Sequence, residues 1–422
     1  MGKVVSSISQ SFGLGAGATW PGEIALRLSP NIFAEFASQL RKGIILVAGT
    51  NGKTTTSLMI TQVLEKQGLT VVHNASGANL LNGIVSACIQ EATWSGKLRV
   101  DYGVFEVDEN SLPIVIKSIK SAKSKVVIVL LNLFRDQLDR YGEVDVIAEK
   151  WQKSLQSLES LDRKTRKMSD VTIIANADDP LIAHLGLHTK LPVTYFGIND
   201  ASKYLAHMEH ATDSIFCLNC GARLQYEGVY FSHIGIWKCP TCGEKRPNPT
   251  ISEWKSPLPG LYNQYNTLAA VAVAKSLHLK PTFKSFKPSF GRQEEIDIDG
   301  NIIKIFLSKN PAGFNQSLRT VIELGARQLL LVLNDRIPDG RDVSWIWDVD
   351  FEMIPKHVSV LVSGDRVYDL ALRLKYAGIT YEIYELLEEA LKRSHDNETL
   401  YILPTYSAML EVRKRLRGRK IL

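Results

Sequence analysis

Apolar residues along this chain fall in short blocks bounded by glycine and polar residues. Ile44, Ile45, Leu46 and Val47 form a continuous run that ends at Gly49, too short for a buried helix and without the alternation of a half-exposed strand. Such a run predicts a strand buried on both faces. Residues 22–41 before it, and Thr54 to Leu64 after it, carry apolar positions at helical spacing. Further strands are predicted at Thr70–His73, Tyr102–Val107, Val126–Leu131 and Val171–Ala175, most of them separated by helical segments. This alternation predicts an α/β fold with a parallel sheet covered by helices on both faces, and a ligand site beyond the carboxyl ends of the strands.

Residues 201–256 break the rhythm with cysteine, glycine, histidine and short alternating stretches, and are expected to form a small inserted module. Helical pattern resumes at Asn263. A second series of strands, at Ile302–Leu307, Gln328–Leu333, Val358–Val362 and Thr399–Leu403, predicts a separate C-terminal Rossmann-like α/β domain. The stretch Lys280–Pro288 between the two series, with its lysines and prolines, is a candidate hinge. The expected division is therefore a helical extension over 1–40, a nucleotide-binding domain over 41–295 and the C-terminal domain over 296–422.

Composition narrows the class. A chain of 422 residues exceeds one ordinary hydrophobic core, so two or three domains fit its length. With 45% apolar and 22% charged residues it is neither disordered nor fibrous. The excess of 50 basic over 44 acidic residues is compatible with phosphorylated substrates or an anionic membrane surface and requires neither. No apolar run reaches the roughly 18 residues that span a bilayer, and residues 1–20 lack a charged start followed by an apolar core, so a cytoplasmic location is expected. In that reducing setting two Cys-x-x-Cys pairs point to metal rather than disulfides, while Cys88, alone in an apolar segment, is expected to be a small buried hydrophobe.

The strongest chemical signal is Gly49-Thr50-Asn51-Gly52-Lys53-Thr54-Thr55, between a buried strand and a helix. Glycines let backbone N–H groups converge on phosphate oxygens, the helix N-terminus adds partial positive charge, and a lysine reaches the terminal phosphates. Thr54 is the first candidate for a magnesium ligand. The common phosphate-loop pattern has glycine where Val47 stands, so this loop is a shortened version.

Residue by residue, the loop resembles that of the Mur ligase superfamily. Glu106, in Phe105-Glu106-Val107-Asp108-Glu109, matches the acidic residue that holds magnesium in that superfamily. Asn132 to Arg140 resembles its next strand-end motif, with Gln137 where relatives carry histidine. Asn176 to Pro180 resembles a further segment, Gly260 to Asn266 the one that approaches adenine, and Gly291-Arg292-Gln293-Glu294 the turn that closes the central domain. The resemblance implies ATP and magnesium as cofactors, with Gly49, Thr50, Asn51, Gly52, Lys53, Thr54, Thr55, Asn266 and Arg292 around the nucleotide. The residues ahead of the loop leave room for about one helix and a turn rather than a uridine-nucleotide domain, which suggests a lipid-linked acceptor.

Cys217-Leu-Asn-Cys220 and Cys239-Pro-Thr-Cys242, eighteen residues apart, have the spacing of a four-cysteine zinc ribbon. A closed set of four thiolates implies a structural Zn2+, and His207, His210 and His233 are then redundant. The ribbon lacks the basic and aromatic interleaving of a nucleic-acid module, and none is expected to bind. A Mur-like core with such a ribbon resembles the branch whose members act as ATP-using subunits beside a GatD-type glutamine amidotransferase. Ser308-Lys309-Asn310-Pro311 and Asp339-Gly340-Arg341-Asp342 match segments of that branch. The resemblance implies amidation of the D-glutamate α-carboxylate of lipid II through an acyl phosphate, at the inner face of the membrane. Lys53 and Lys309 would then act on the transferring phosphoryl group or acceptor carboxylate, and Asp342 would complete a Cys-His-Asp triad in a heterodimeric partner. From the residues alone, Asp342 reads as a surface acid capping the next helix, and Trp345, Ile346 and Trp347 as core or partner-facing. Two other readings stay open: a ligase that adds an amino acid, and a nucleotide-regulated scaffold that binds through its ribbon.

Overall fold

The computed structural model describes residues 19–120, 124–136, 143–160, 170–298, 300–393 and 398–417. Its first sheet holds β1 (Gly43–Ala48), β2 (Val71–His73), β3 (Tyr102–Val107), β4 (Lys125–Leu130), β5 (Val171–Asn176) and β6 (Val193–Phe196) in the order β2-β3-β1-β4-β5-β6. All its pairings are parallel. Every residue of β1 is buried, and successive side chains enter different cores: Ile44, Leu46 and Ala48 on one face, Ile45 and Val47 on the other. The uninterrupted apolar run therefore needs a helix layer on each side, as the α/β reading expects.

The first face is covered by helices that include Leu112–Ile119 and Val144–Glu159, with Trp151 fully buried among them. The second is covered by Lys53–Lys66 and Leu261–Ser276. In the latter helix Ala269, Ala270, Ala272 and Ala274 are all buried, and these small side chains suit a helix enclosed on nearly every side. The expected single helix over 22–41 is two, Trp20–Leu28 and Ile32–Gln39, because Pro30 follows an extended Ser29 and interrupts the helical hydrogen bonds.

The second sheet has the order β13-β12-β11-β14-β10-β9, built from β9 (Arg292–Ile298), β10 (Asn301–Phe306), β11 (Gln328–Val332), β12 (Ser359–Ser363), β13 (Glu382–Ile383) and β14 (Leu400–Pro404). Only β9 runs antiparallel to its neighbour. This strand begins inside the segment expected to close the central domain, so the change of sheet falls before Arg292 rather than at 295. Residues 201–256 hold an antiparallel hairpin of β7 (Gln225–Phe231) and β8 (Ile234–Lys238). The hairpin is not a free appendage, since Tyr230, Phe231 and Ile234 are buried in the same core as Met59 and Leu268.

Candidate active site at the phosphate loop

β1 lies between β3 and β4, where the chain's path across the sheet reverses direction, and its carboxyl end delivers the loop 49–52. Gly52 has a φ of 89° and caps the helix Lys53–Lys66; a Cβ there would stand 2.1 Å from Asn266 Oδ1. The loop is laced to the end of β4. Asn51 N–H donates to Asn132 Oδ1 at 2.8 Å, Asn132 Nδ2 returns a bond to Asn51 O at 3.0 Å, and Phe134 N–H donates to Thr50 Oγ1 at 3.0 Å.

Lys53 is buried, with Nζ 2.6 Å from Gly49 O and 3.1 Å from Glu109 Oε1. Burial acts to lower its pKa, but Glu109, Glu106, Asp108 and Asp136 outweigh it and hold the ammonium above its ordinary value. Thr54 Oγ1 donates to Glu106 Oε2 at 2.8 Å. Glu106 is itself fixed by Asn74, whose Oδ1 accepts from the Glu106 N–H at 2.9 Å and whose Nδ2 donates to the Glu106 carbonyl at 2.9 Å.

The C-terminal domain supplies the facing wall. After β10, Lys309 pairs with Asp136, while Asn310 Nδ2 reaches Asn51 Oδ1 at 3.0 Å and Asn51 Nδ2 reaches Asn310 Oδ1 at 3.2 Å. Asn310 also caps the helix Pro311–Glu323 by accepting from Gly313 N–H at 2.8 Å, so its placement is set by that domain. A cavity of about 1090 Å³ is lined by Lys53, Thr54, Glu106, Arg292, Lys309 and Tyr406. A second, of about 780 Å³, is lined by Thr55, Tyr262, Asn266 and Phe306 among others, and shares Gly52 and Arg292 with the first. One compartment is charged and the other aromatic and amide-rich, the division a nucleoside triphosphate needs.

The oxygen-only donor set of Thr54 and Glu106 suits magnesium, which keeps water and phosphate oxygens in its shell. Asp136 Oδ1 is buried and without a hydrogen-bond partner among the described residues, while its other oxygen pairs with Lys309. Gln137, Asp139 and Arg140 lie outside the described residues.

Asp342 lines neither cavity. It is exposed and accepts from Ser344 N–H at 2.8 Å, a bond that holds its carboxyl below the usual carboxylate value. Ile346 is core, Trp345 packs against Phe314, and Trp347 is exposed with its ring against Tyr376. Sequence reasoning named neither Glu109 nor Asp136 as lysine partners. Both sat within the motifs it read, but the pairings join different strands and, for Asp136, different domains.

The four ribbon thiols converge. Cys217 Sγ lies 3.6 Å from Cys242 Sγ and Cys220 Sγ 3.5 Å from Cys239 Sγ, all within 4.8 Å of one another. Zinc–sulfur bonds of about 2.3 Å in a tetrahedron separate sulfurs by about 3.8 Å, so the cluster fits zinc. His207 is exposed, His210 pairs with Asp350, and His233 is buried beside Asp179 and Phe134, so these histidines have other surroundings. Behind the ribbon, Arg246 Nε bonds buried Asp178 Oδ1 at 2.6 Å, and Tyr265, from the aromatic cavity, donates its hydroxyl to Asp178 Oδ2 at 2.6 Å.

Comparison with known proteins assigns both halves. Residues 47–274 match the Mur ligase middle domain and residues 307–409 the MurT ligase C-terminal domain. The chain is similar to the lipid II isoglutaminyl synthase (glutamine-hydrolyzing) subunit MurT of Streptococcus pneumoniae, at 34% identity over 97% of this chain and 94% of that one. It is similar to the protein of the same name from Staphylococcus aureus at 32% identity, over 87% of this chain and 84% of that one. Among solved structures, a pseudomurein peptide ligase type C from Methanothermus fervidus superposes with a TM-score of 0.66 at 21% identity, covering 90% of this chain and 79% of that one. MurF ligase from Thermotoga maritima, in complex with ADP, gives 0.58 at 14% identity, covering 93% and 83%. These last two share the fold.

Proposed function

Since this chain belongs to the Mur ligase family, in its MurT branch, and is an ATP-dependent ligase of peptidoglycan synthesis, we propose that it amidates the α-carboxylate of D-glutamate in lipid II. One carboxylate oxygen attacks the γ-phosphorus of ATP, the β–γ bridging bond breaks, and ADP leaves. Ammonia then attacks the acyl carbon, phosphate leaves with the C–O bond electrons, and the nitrogen sheds a proton to give the isoglutamine amide.

The carrying observation is that two lysines from different domains, Lys53 and Lys309, line one cavity with Thr54 and Glu106. Lys53 and the loop amides bind the terminal phosphates. Thr54 and Glu106 would hold magnesium, which would supply charge neutralisation for the transferring phosphoryl group. Lys309 orients the acceptor carboxylate or the acyl phosphate from the opposite wall. Asn51 and Asn310 keep those walls together, and closure there keeps water from the acyl phosphate. The aromatic cavity with Asn266 takes the nucleobase end. Zinc in the thiol cluster stabilises the ribbon.

Ammonia comes from a GatD-type glutaminase. The relatives' designation as the MurT subunit of a glutamine-hydrolyzing synthase supports such a second chain. Asp342 would complete a triad on that partner, a reading its exposure supports. The acceptor is reached at the membrane face; among the described residues no helix is long and apolar enough to cross a membrane.

Purified chain and glutaminase, supplied with lipid II, ATP and glutamine, should yield a product in which one hydroxyl is replaced by an amino group, read by mass spectrometry. ADP should form in equal amount. Uptake of a radiolabelled amino acid in place of ammonia would refute the amidation reading, and lack of ATP consumption would refute ligase chemistry at this site.

A further inference from the structure

Away from the phosphate loop, the described residues bring together a second set of metal-ligating groups. His184 and His188 stand four residues apart on the helix Pro180–Leu187 and its cap, so both rings leave one face, with centroids 4.1 Å apart. Glu244, two residues beyond Cys242 in the second knuckle, reaches across to both. Its Oε1 lies 2.8 Å from His184 Nδ1 and its Oε2 lies 3.0 Å from His188 Nε2. One ligand atom from each residue falls within 4.8 Å of the other two.

The thiol cluster does not account for this arrangement, because four thiolates complete a zinc tetrahedron alone. Glu244 is the telling residue. Its side chain is only 10% exposed, and its ion-pair partners among the described residues are the two imidazoles, not a lysine or arginine. A nearly buried carboxylate whose partners are two imidazoles lacks the permanent cation, lysine or arginine, that normally offsets its desolvation.

We propose that His184, His188 and Glu244 form a second metal site, separate from the thiol cluster, which takes a divalent transition ion such as zinc. Two imidazole nitrogens and one carboxylate oxygen suit zinc rather than magnesium or calcium. His188 and Glu244 also line a cavity of about 1050 Å³, from which water completes the coordination. The bound ion cross-links the second knuckle to the helix that follows Asp178 and Asp179, and so braces the ribbon against the segment that carries Arg246's partner.

The probe is zinc alone, added to the full chain as purified with its thiol cluster loaded. Metal analysis after equilibrium dialysis should show a second equivalent in the native chain and its loss in both His188→Ala and Glu244→Gln. His188 is partly exposed, so its truncation leaves the core intact, which circular dichroism checks. Cobalt added to the same protein should give weak visible d–d bands without new sulfur-to-metal charge-transfer absorption, and His188→Ala should abolish them. A native chain that stops at one equivalent, a second equivalent that survives both substitutions, or cobalt bands that carry sulfur character would each overturn the assignment.

Discussion

Glu109→Gln is the substitution that asks most about how the site rests before ATP arrives. In the structure Lys53 is held by Glu109 at 3.1 Å, with both side chains at least nine-tenths buried. At that separation and an effective dielectric of ~20 the attraction is about 5 kcal/mol before desolvation, and breaking a buried pair from one side costs ~3–5 kcal/mol. Glutamine keeps a carbonyl near Lys53, and the Gly49 and Thr50 carbonyls remain at 2.6 and 3.2 Å. The low end, about 3 kcal/mol, is therefore expected for the nucleotide-free protein. With nucleotide bound, phosphate oxygens replace the lost partner. If the bound form then loses only about 1 kcal/mol, the cycle requires the variant to bind an unhydrolysable ATP analogue about thirtyfold more tightly. Urea denaturation of the free protein and calorimetric titration with the analogue measure the two legs. Equal stability of the free proteins, or weaker analogue binding by Glu109→Gln, would refute the view that Glu109 competes with phosphate for Lys53.

Asp342→Asn should remove glutamine-dependent amidation while leaving ammonium-supported amidation by the complex near native; loss of both, in rate assays with each nitrogen source, would place Asp342 in the ligase site instead. Arg246→Met strands Asp178, which is fully buried, and should cost about 3 kcal/mol near neutral pH. Burial already pushes the Asp178 carboxyl up against the pull of Arg246, and the variant raises it further. The folded variant thus holds its proton to higher pH than the unfolded chain, so its deficit in urea midpoint should be small below about pH 4 and grow as pH rises. His73, at the end of β2 with Nε2 3.1 Å from Ser57 Oγ, is pushed by burial down to about 4. Unfolded histidine takes up a proton near pH ~6.5, so stability falls as pH drops from there toward the folded value. His73→Gln should flatten that part of the profile, and an unchanged slope would show that other groups cause it.

What could be read in advance depended on how far along the chain the reason for each feature lay. β1 was legible because four consecutive apolar residues state burial on both faces without help from elsewhere. The loop was legible because Gly52 must adopt a positive φ beside Lys53, and the ribbon because thiolate spacing is a local requirement of tetrahedral zinc. Pro30 was equally local and was passed over in favour of helical periodicity, which its ring overrides. β9 escaped for a different cause: Gly291, Arg292, Gln293 and Glu294 read as a turn, and only pairing with β10, around an irregularity at Gln293, draws Arg292 and Glu294 into an edge strand. The charge partners were least accessible, since a lysine in a phosphate loop announces its task, whereas the carboxylate that neutralises it is chosen by folding.

That difference bears on the chemistry. Lys53 and Lys309, which line one cavity from different domains, each lie against a carboxylate of the central domain, Glu109 and Asp136. An anionic nucleotide and an anionic acceptor bring the same charge those carboxylates supply, so both lysines can exchange partners without being left unpaired at low dielectric. Asn51 and Asn310 meanwhile hold the walls together through neutral bonds, whose strength does not depend on which anion is present. The cavity can therefore change its charge partners while the contact between its domains is kept, as the proposed acyl-phosphate route requires of it.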